Sequence, residues 1–134
     1  MNQYVMVLNG SWLGGYINGE LKGYRNGVPY TVGNDRGLYI GKSVYGMFNV
    51  WGYVYQVLVY SRVLSGSEIR RMYQNPEDPP REGLVLWLKA DPQYVRDGDG
   101  MPDLRFDLSG RGNHGRITAL GWCGVAYCSL VGMT

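Results

Sequence analysis

Two stretches of the sequence decide the fold: GYVYQVLVY at residues 52–60 and LVLWL at residues 84–88. In the first stretch, aromatic and aliphatic side chains occupy both alternating positions, which predicts a strand that is covered on both faces, as in the middle of a sandwich. The second stretch is uniformly apolar and short, which predicts a buried strand. Strands of this kind must be buried against other layers of secondary structure.

Tight-turn signals separate short β-prone segments in the rest of the chain. Asn-Gly pairs stand at residues 18–19 and 26–27, and this pair is preferred in type I′ hairpin turns because both turn residues need a positive φ. The segment 4–8 (YVMVL) predicts a strand that ends in a turn at residues 9–10. Glycine makes up 21 of the 134 residues, about twice the usual ~7% share, as many tight turns require.

One segment has the sequence pattern of a helix instead of a strand. Ser65 and Glu68 fit a capping box, and Ile69 and Met72 then recur at helical spacing. The sequence predicts a short helix over residues 66–74, which ends before Pro76. Many short strands, abundant turns and one helix predict an all-β sandwich formed by a single domain over residues 1–134.

Charge and hydropathy exclude several functional classes. The 13 basic and 11 acidic residues give a net charge of +2, and without a basic run this balance argues against nucleic acid as a partner. Residues 117–134 carry no charge, but their glycines favour two core strands over a membrane span. No secretory signal is visible at the start of the sequence.

The segment 38–76 resembles a known family. It is similar to the C-terminal half of laminin G-like, concanavalin A-like lectin/glucanase domains, which has a strand of the form G-x-I-x-E-V-x-I-Y followed by R-x-L-S-x-x-E-I and a short helix. Gln56 stands where the family prefers an acidic residue. The residues that match in order are Gly52, Val54, Val57, Val59, Tyr60, Arg62, Leu64, Ser65, Glu68 and Ile69.

The segment 83–117 resembles the N-terminal start of the same domains, and its most specific motif is DLSGRGNHG at residues 107–115. Residues 1–75 therefore correspond to the family's C-terminal half and residues 83–134 to its N-terminal half. The resemblance implies a jelly-roll antiparallel β-sandwich in permuted order, in which residues 84–88 lie beside residues 52–60. A piece of a tandem array and strand sharing between subunits are the two other interpretations. Missing middle strands would leave open edges, which predicts a homo-oligomer.

Exposed aromatic side chains are the candidates for ligand binding. Sugar sites combine aromatic rings that stack on pyranose faces with polar groups that fix the hydroxyls. The candidate residues are Trp12, Tyr16, Tyr24, Trp51 and Tyr53. Tyrosine and tryptophan also serve protein–protein hot spots and cores, and the sequence does not separate these uses. The predicted partner is therefore a glycan or a protein surface.

Residues 91–107 are rich in Asp, Gly and Pro, which predicts a loop. This Asp-rich stretch offers a second kind of site. The carboxylates of Asp97, Asp99, Asp103 and Asp107 are hard oxygen ligands of the type that Ca²⁺ prefers, although their spacing does not fit an EF-hand. The alternative is that Asp-Gly pairs form turns. Ca²⁺ is therefore an expected cofactor only under the first interpretation.

The two cysteines, Cys123 and Cys128, are separated by four residues. They form a disulfide if a turn brings them together in an oxidising compartment, and are otherwise buried thiols.

The sequence favours a protein without catalytic activity. The glucanases of the resembled fold carry their acids as E-x-D-x-x-E on one strand, and no such string occurs in the chain. His114 is the sole histidine, and without a Cys or Ser partner nearby in the sequence it is weak evidence for catalysis.

The first hypothesis is a carbohydrate- or ligand-binding or adhesion module of an extracellular or cell-surface protein. The alternative hypothesis is a structural subunit that self-assembles into a virion, shell or filament. A glycoside hydrolase is the weakest of the three.

Overall fold

The computed structural model describes residues 1–29, 38, 40, 54–90, 95–97 and 102–116, with the backbone alone for residues 95–97, 102–105 and 116. Within these ranges the elements are strands apart from one short helix, which agrees with the predicted all-β class. Within these ranges no helix has the length and apolarity needed to cross a bilayer. The elements in chain order are β1 (Tyr4–Asn9), β2 (Trp12–Ile17), β3 (Glu20–Arg25), β4 (Gln56–Tyr60), α1 (Gly66–Gln74), β5 (Leu84–Lys89), β6 (Val95–Asp97), β7 (Pro102–Arg105) and β8 (Gly115–Arg116).

The chain divides into two compact units. The first unit contains Met1–Asn34 and Tyr60–Gly83, and the second contains Asp35–Val59 and Leu84–Thr134. Each unit therefore takes two separate stretches of the sequence, and the chain alternates between them. The assignment of residues 1–134 to a single domain remains a prediction.

The first unit contains an antiparallel sheet with the strand order β1-β2-β3. Gly10 and Ser11 form the first hairpin loop, one residue later than the turn predicted at residues 9–10. Asn18 and Gly19 form the second, and both have positive φ values, of 53° and 82°. These values fit the type I′ turn that the Asn-Gly pair predicted.

The register of this sheet gives it two chemically different faces. Val5 lies opposite Tyr16, and Val7 lies opposite Gly14. Because directly opposed residues share a face, these residues define the inner face, on which Val7 is buried. Met6 belongs to the other, outer face, where its side chain is 78% exposed.

Helix α1 packs against the inner face. Ile69, Met72 and Leu64 are buried together with Val7, as the helical spacing of the apolar residues requires. The partly buried residues around this core are Val5, Trp12, Tyr16 and Tyr60. The bounds Gly66–Gln74 confirm the helix predicted over residues 66–74.

An ion-pair network fixes the start of α1. The Ser65 hydroxyl accepts a hydrogen bond from the Glu68 N–H, and a Glu68 carboxylate oxygen accepts one from the Ser65 N–H, which completes the predicted capping box. Arg62 donates to both Glu68 oxygens, at 2.7 and 3.0 Å. The Arg62 Nε–H also donates to the Glu82 carbonyl, at 2.8 Å. Arg62 therefore ties the helix start to the chain segment that follows the helix.

In the second unit, β4 and β5 form a two-stranded sheet. The Ser61 N–H donates to the Gly83 carbonyl just beyond one end of the ladder, and the Ala90 N–H donates to the Tyr55 carbonyl just beyond the other. The two strands are therefore antiparallel, and the predicted pairing of residues 84–88 with the 52–60 stretch is confirmed.

The strand itself is shorter than predicted, since β4 begins at Gln56, and its residues are half-buried. In β5, Leu86 and Leu88 form a buried core, with Ile40, Val57 and Val59 packed against it.

The third small sheet contains β6, β7 and β8 in antiparallel order. The sequence predicted a loop over residues 91–107, and that prediction was wrong for Val95–Asp97 and Pro102–Arg105, which are strands. The Asp-Gly pairs that suggested the loop lie between the two strands or at their ends, as is typical of residues that connect a hairpin.

The capping network predicts a specific acid sensitivity. The hydrogen bonds from Arg62, followed by the one from the Ser65 N–H, lower the pKa of Glu68 from 4.5 to about 2. Because the pKa is lower in the folded chain, the network stabilises the fold above the unfolded pKa and loses that effect as the pH falls toward 2. We expect the free energy of unfolding to drop by about 1–2 kcal/mol more in the wild type than in Glu68→Gln between about pH 6 and pH 2.5, allowing for solvent screening.

Urea unfolding at each pH measures this difference. The matched control is Asp78→Asn, which removes the exposed Arg71–Asp78 ion pair near the other end of α1 and should keep the wild-type acid sensitivity. Parallel pH profiles for the wild type and Glu68→Gln would contradict the assignment.

Candidate functional site

Trp12 and Tyr24 form a stacked aromatic pair on the inner face of the first sheet. Their ring centroids are 6.3 Å apart, and the ring planes differ by 21°. Trp12 is the first residue of β2 and packs against the core of the first unit. Tyr24 lies near the end of β3, opposite Gly14, and is 65% exposed. The pair therefore presents a solvent-accessible ring that rests on a partly buried one.

The Trp12 ring packs directly on Gly14, and we call this contact the seat of Trp12. A Cβ atom at this buried glycine would overlap the six-membered ring of the Trp12 indole. The φ of Gly14 is not positive, so glycine is needed here for space and not for backbone conformation. This role was not predicted from the sequence, although an isolated glycine in a strand is a known sign of close approach.

Polar residues flank the aromatic pair at the same end of the sheet. The Val28 N–H donates to the Ser11 carbonyl at 2.9 Å, which joins the β1–β2 loop to the segment after β3. Asn9, the last residue of β1, is exposed, as are Ser11 in this loop and Asn26 after β3. We call the set of Trp12, Tyr24, Asn9, Ser11 and Asn26 the aromatic site.

The other predicted ligand-binding residues lie elsewhere. Tyr16 is on the inner face opposite Val5 and packs against the core of the first unit. Trp51 and Tyr53 lie outside the described residues. Of the five predicted aromatic residues, the structure thus brings Trp12 and Tyr24 into contact.

In the second unit, the carboxylate of Asp107 is the centre of a hydrogen-bond cluster. One oxygen accepts from the N–H groups of Trp87 and Ser109, both at 2.9 Å. The other accepts from the Ser109 hydroxyl at 2.7 Å and the Asn113 N–H at 3.0 Å. Burial alone would raise the pKa of Asp107, but these hydrogen bonds outweigh it and keep the pKa below its usual value.

Asn113 and His114 of the 107–115 motif make further contacts that stabilise the loop around Asp107. The Asn113 side-chain amide donates to the Val85 carbonyl of β5 at 2.8 Å. His114 Nδ1 accepts from the Asp107 N–H at 3.0 Å, and the His114 ring meets Phe106 edge-on at 5.5 Å. The motif therefore fastens this loop to β5.

The predicted Ca²⁺ ligands are only partly described. Asp97 and Asp103 lie on β6 and β7, and Asp99 lies outside the described residues. In the part of the chain that the structure describes, no group of three or more acidic, histidine or cysteine side chains could hold a metal. A Ca²⁺ ion at Asp107 would have to displace some of its four hydrogen bonds.

The Ca²⁺ site therefore remains a prediction. So does the disulfide, because Cys123 and Cys128 lie outside the described residues.

The second unit contains a buried lysine that was not predicted from the sequence. Lys89, at the end of β5, is only 8% exposed. Its Nζ lies 5.9 Å from the Trp87 ring centroid and 6.0 Å from that of Tyr55, within the range of cation–π attraction. The Trp87 indole N–H donates to the Gln56 side-chain oxygen at 3.1 Å. Gln56 thus has a structural use at the position where the resembled family prefers an acid.

Comparisons with protein-family models, with curated proteins and with solved structures found no match. The resemblance to laminin G-like domains therefore remains a prediction that rests on the residues quoted for it. Several of these residues, among them Asp107 and Asn113, make the contacts described above.

The Asp107 cluster predicts a graded loss of stability. Asp107→Asn places an amide group among N–H donors, so at least one buried donor loses its acceptor. We expect a loss of about 2–3 kcal/mol in the free energy of unfolding, and about 1 kcal/mol for Ser109→Ala, which removes one donor. Chemical denaturation measures both. Asp78→Asn, on an exposed ion pair, is the control and should change little. Equal stability of Asp107→Asn and the wild type would contradict the assignment.

Two adjacent glycines test the seat of Trp12. Gly14→Ala should displace the indole, lower the free energy of unfolding by about 1–3 kcal/mol and weaken the near-ultraviolet circular dichroism of the stacked pair. Gly15→Ala is the matched control, because a Cβ there meets only the Gly23 carbonyl oxygen, at 3.9 Å. Similar spectra for Gly14→Ala and Gly15→Ala would show that the ring does not rest on Gly14.

Proposed function

We propose that this protein is a non-catalytic carbohydrate-binding module with a concanavalin A-like jelly-roll fold, and that the aromatic site takes a sugar ring. The observation that carries the proposal is the exposed Tyr24 ring stacked on Trp12. Aromatic faces suit the C–H faces of pyranoses, and nearby polar groups fix the hydroxyls.

The composition of the aromatic site favours a neutral sugar. Asn9, Ser11 and Asn26 offer amide and hydroxyl groups, which both donate and accept hydrogen bonds, and none of the five residues of the site carries a charge. The stacking on Trp12 restrains the Tyr24 ring before a ligand arrives, which lowers the entropic cost of binding.

The two less exposed carboxylates among the described side chains have structural roles, which is consistent with a binding function. A glycosidase needs two carboxyl groups that face one glycosidic bond. Of the carboxylates whose side chains the structure describes, Glu68 and Asp107 are the two that are not exposed. Hydrogen bonds within the protein engage both oxygens of each.

The structural contacts also support the relation to laminin G-like domains. The pairing of β4 with β5 is the one that a permuted domain requires, and the 107–115 motif has a defined contact with β5. A module of this kind would act at an extracellular, cell or virion surface, where glycans are exposed.

A structural, self-assembling subunit is the second candidate function. The observation that favours it is the outer face of the first sheet, where Tyr4 is 73% exposed, Met6 78% and Leu8 44%. Contiguous exposed apolar side chains of this kind mark interaction surfaces.

A glycan array tests the proposed function. We expect the full chain to bind a neutral glycan and Tyr24→Ala to bind it about tenfold more weakly, because the loss of a central aromatic contact typically exceeds 1 kcal/mol. Tyr73→Ala is the matched control, since Tyr73 is an exposed tyrosine on α1 and should leave binding unchanged. Binding that survives Tyr24→Ala, the absence of any glycan hit, or release of reducing ends from the bound glycan would each overturn the proposal.

A further inference from the structure

We propose that β1 is a homodimerisation edge, which pairs antiparallel with β1 of a second copy of this chain in a register centred on Met6. This inference concerns the edge and outer face of the first sheet and is independent of the aromatic site.

The two strands that flank β2 in the first sheet, β1 and β3, differ in charge. Among the described strands, β1 and β3 each pair with β2 alone. Three of the six residues of β3 are charged, namely Glu20, Lys22 and Arg25, and Glu20 forms an ion pair with Lys22. Charged residues, lysine above all, are the usual protection of a sheet edge against pairing with another chain. The six residues of β1 (YVMVLN) include no charge, glycine or proline, so this edge is unprotected.

The alternation of hydrogen bonds along the β1–β2 ladder shows which backbone groups of β1 point away from β2. The Asn18 N–H donates to the Gln3 carbonyl at 3.0 Å, so Gln3 bonds toward β2. Bonding pairs alternate along an antiparallel ladder, and Val5 and Val7 therefore also bond toward β2. It follows that Tyr4, Met6 and Leu8 direct their N–H and C=O groups to the side of the strand that faces away from β2.

These three residues define the register. When Met6 lies opposite Met6 of the second copy, Tyr4 lies opposite Leu8 and Leu8 opposite Tyr4. Three pairs then exchange two hydrogen bonds each, about six in all. A shift of two residues in either direction loses one of the three pairs, and a shift of one residue places outward groups opposite inward ones.

The side chains agree with this register, and they identify a second copy as the occupant. The outer face of β1 carries Tyr4, Met6 and Leu8, and opposite them on β2 lie Ile17 and Leu13. In the dimer the apolar outer faces of the two copies become continuous, and each Tyr4 gains an apolar leucine as its directly opposed cross-strand neighbour. No like charges meet, because β1 has none.

The size of this contact predicts a weak dimer. A single pair of six-residue strands lies at or below the low end of the range for specific interfaces, about 1,200 Å² of total buried surface. We therefore expect association that depends on concentration over the micromolar range.

Sedimentation velocity of the full chain from about 5 to 500 μM tests the inference. We expect a monomer–dimer equilibrium in the wild type. Met6→Pro removes an outward N–H and leaves the bonds to β2, and we expect it to raise the dimer Kd at least about tenfold. Met6→Lys places two lysines opposite each other and should do the same. Leu21→Lys is the matched control, because it adds a lysine at an exposed leucine of β3 and should leave the Kd unchanged.

Circular dichroism of each variant establishes that it is folded, and Met6→Lys keeps the test decisive if the proline variant unfolds. A wild type that stays monomeric over the whole range would overturn the inference. So would a dimer that survives Met6→Pro but not Met6→Lys, because that result indicates packing of the outer faces without strand pairing. Loss of the dimer in Leu21→Lys would place the contact on β3 and overturn it as well.

Discussion

The closure of residues 61–83, the segment between β4 and β5, is the constraint on which the rest of the first unit depends. The Ser61–Gly83 hydrogen bond closes the intervening segment into a loop, and Arg62 fastens it a second time through the Glu82 carbonyl. Gly83 has a φ of +70°, and a Cβ there would lie 2.8 Å from the Arg62 side chain. A glycine is therefore required both for the backbone and for the space that Arg62 occupies.

Closure of this segment determines which part of the first sheet is covered. Helix α1, capped through Arg62 and Glu68, buries Ile69 against Val7 on the inner face. Tyr24, on the same face at the outer strand β3, is 65% exposed. The inner face is thus divided into a region that the helix covers and the aromatic site, where a ring remains accessible.

Local sequence signals predicted the elements better than their long-range contacts. The Ser65–Glu68 capping box and the Asn18-Gly19 turn were predicted because each depends on residues a few positions apart. Apolar runs predicted the strands β4 and β5, whereas their pairing was implied by the resemblance to laminin G-like domains. Neither the seat of Trp12 on Gly14 nor the burial of Lys89 could be predicted this way, because both depend on strand register or on contacts between distant residues. The sequence left Asp107 between a metal ligand and a turn, and the structure places it in a hydrogen-bond cluster.

The proposed dimer and the proposed sugar site reinforce each other through geometry. In the proposed dimer, the two β1 strands join the two three-stranded sheets into one six-stranded sheet. Both inner faces then lie on the same side of that sheet. The two Tyr24 rings, each on a β3 strand, would then lie on that side at opposite edges, about 24 Å apart for five strand spacings of ~4.8 Å. One aromatic ring with a few polar groups binds a sugar weakly, but two such sites on one rigid sheet convert the second contact into an intramolecular one. An unprotected β1 and an exposed Tyr24 on the charged β3 therefore suit a module that binds repeated surface glycans by avidity.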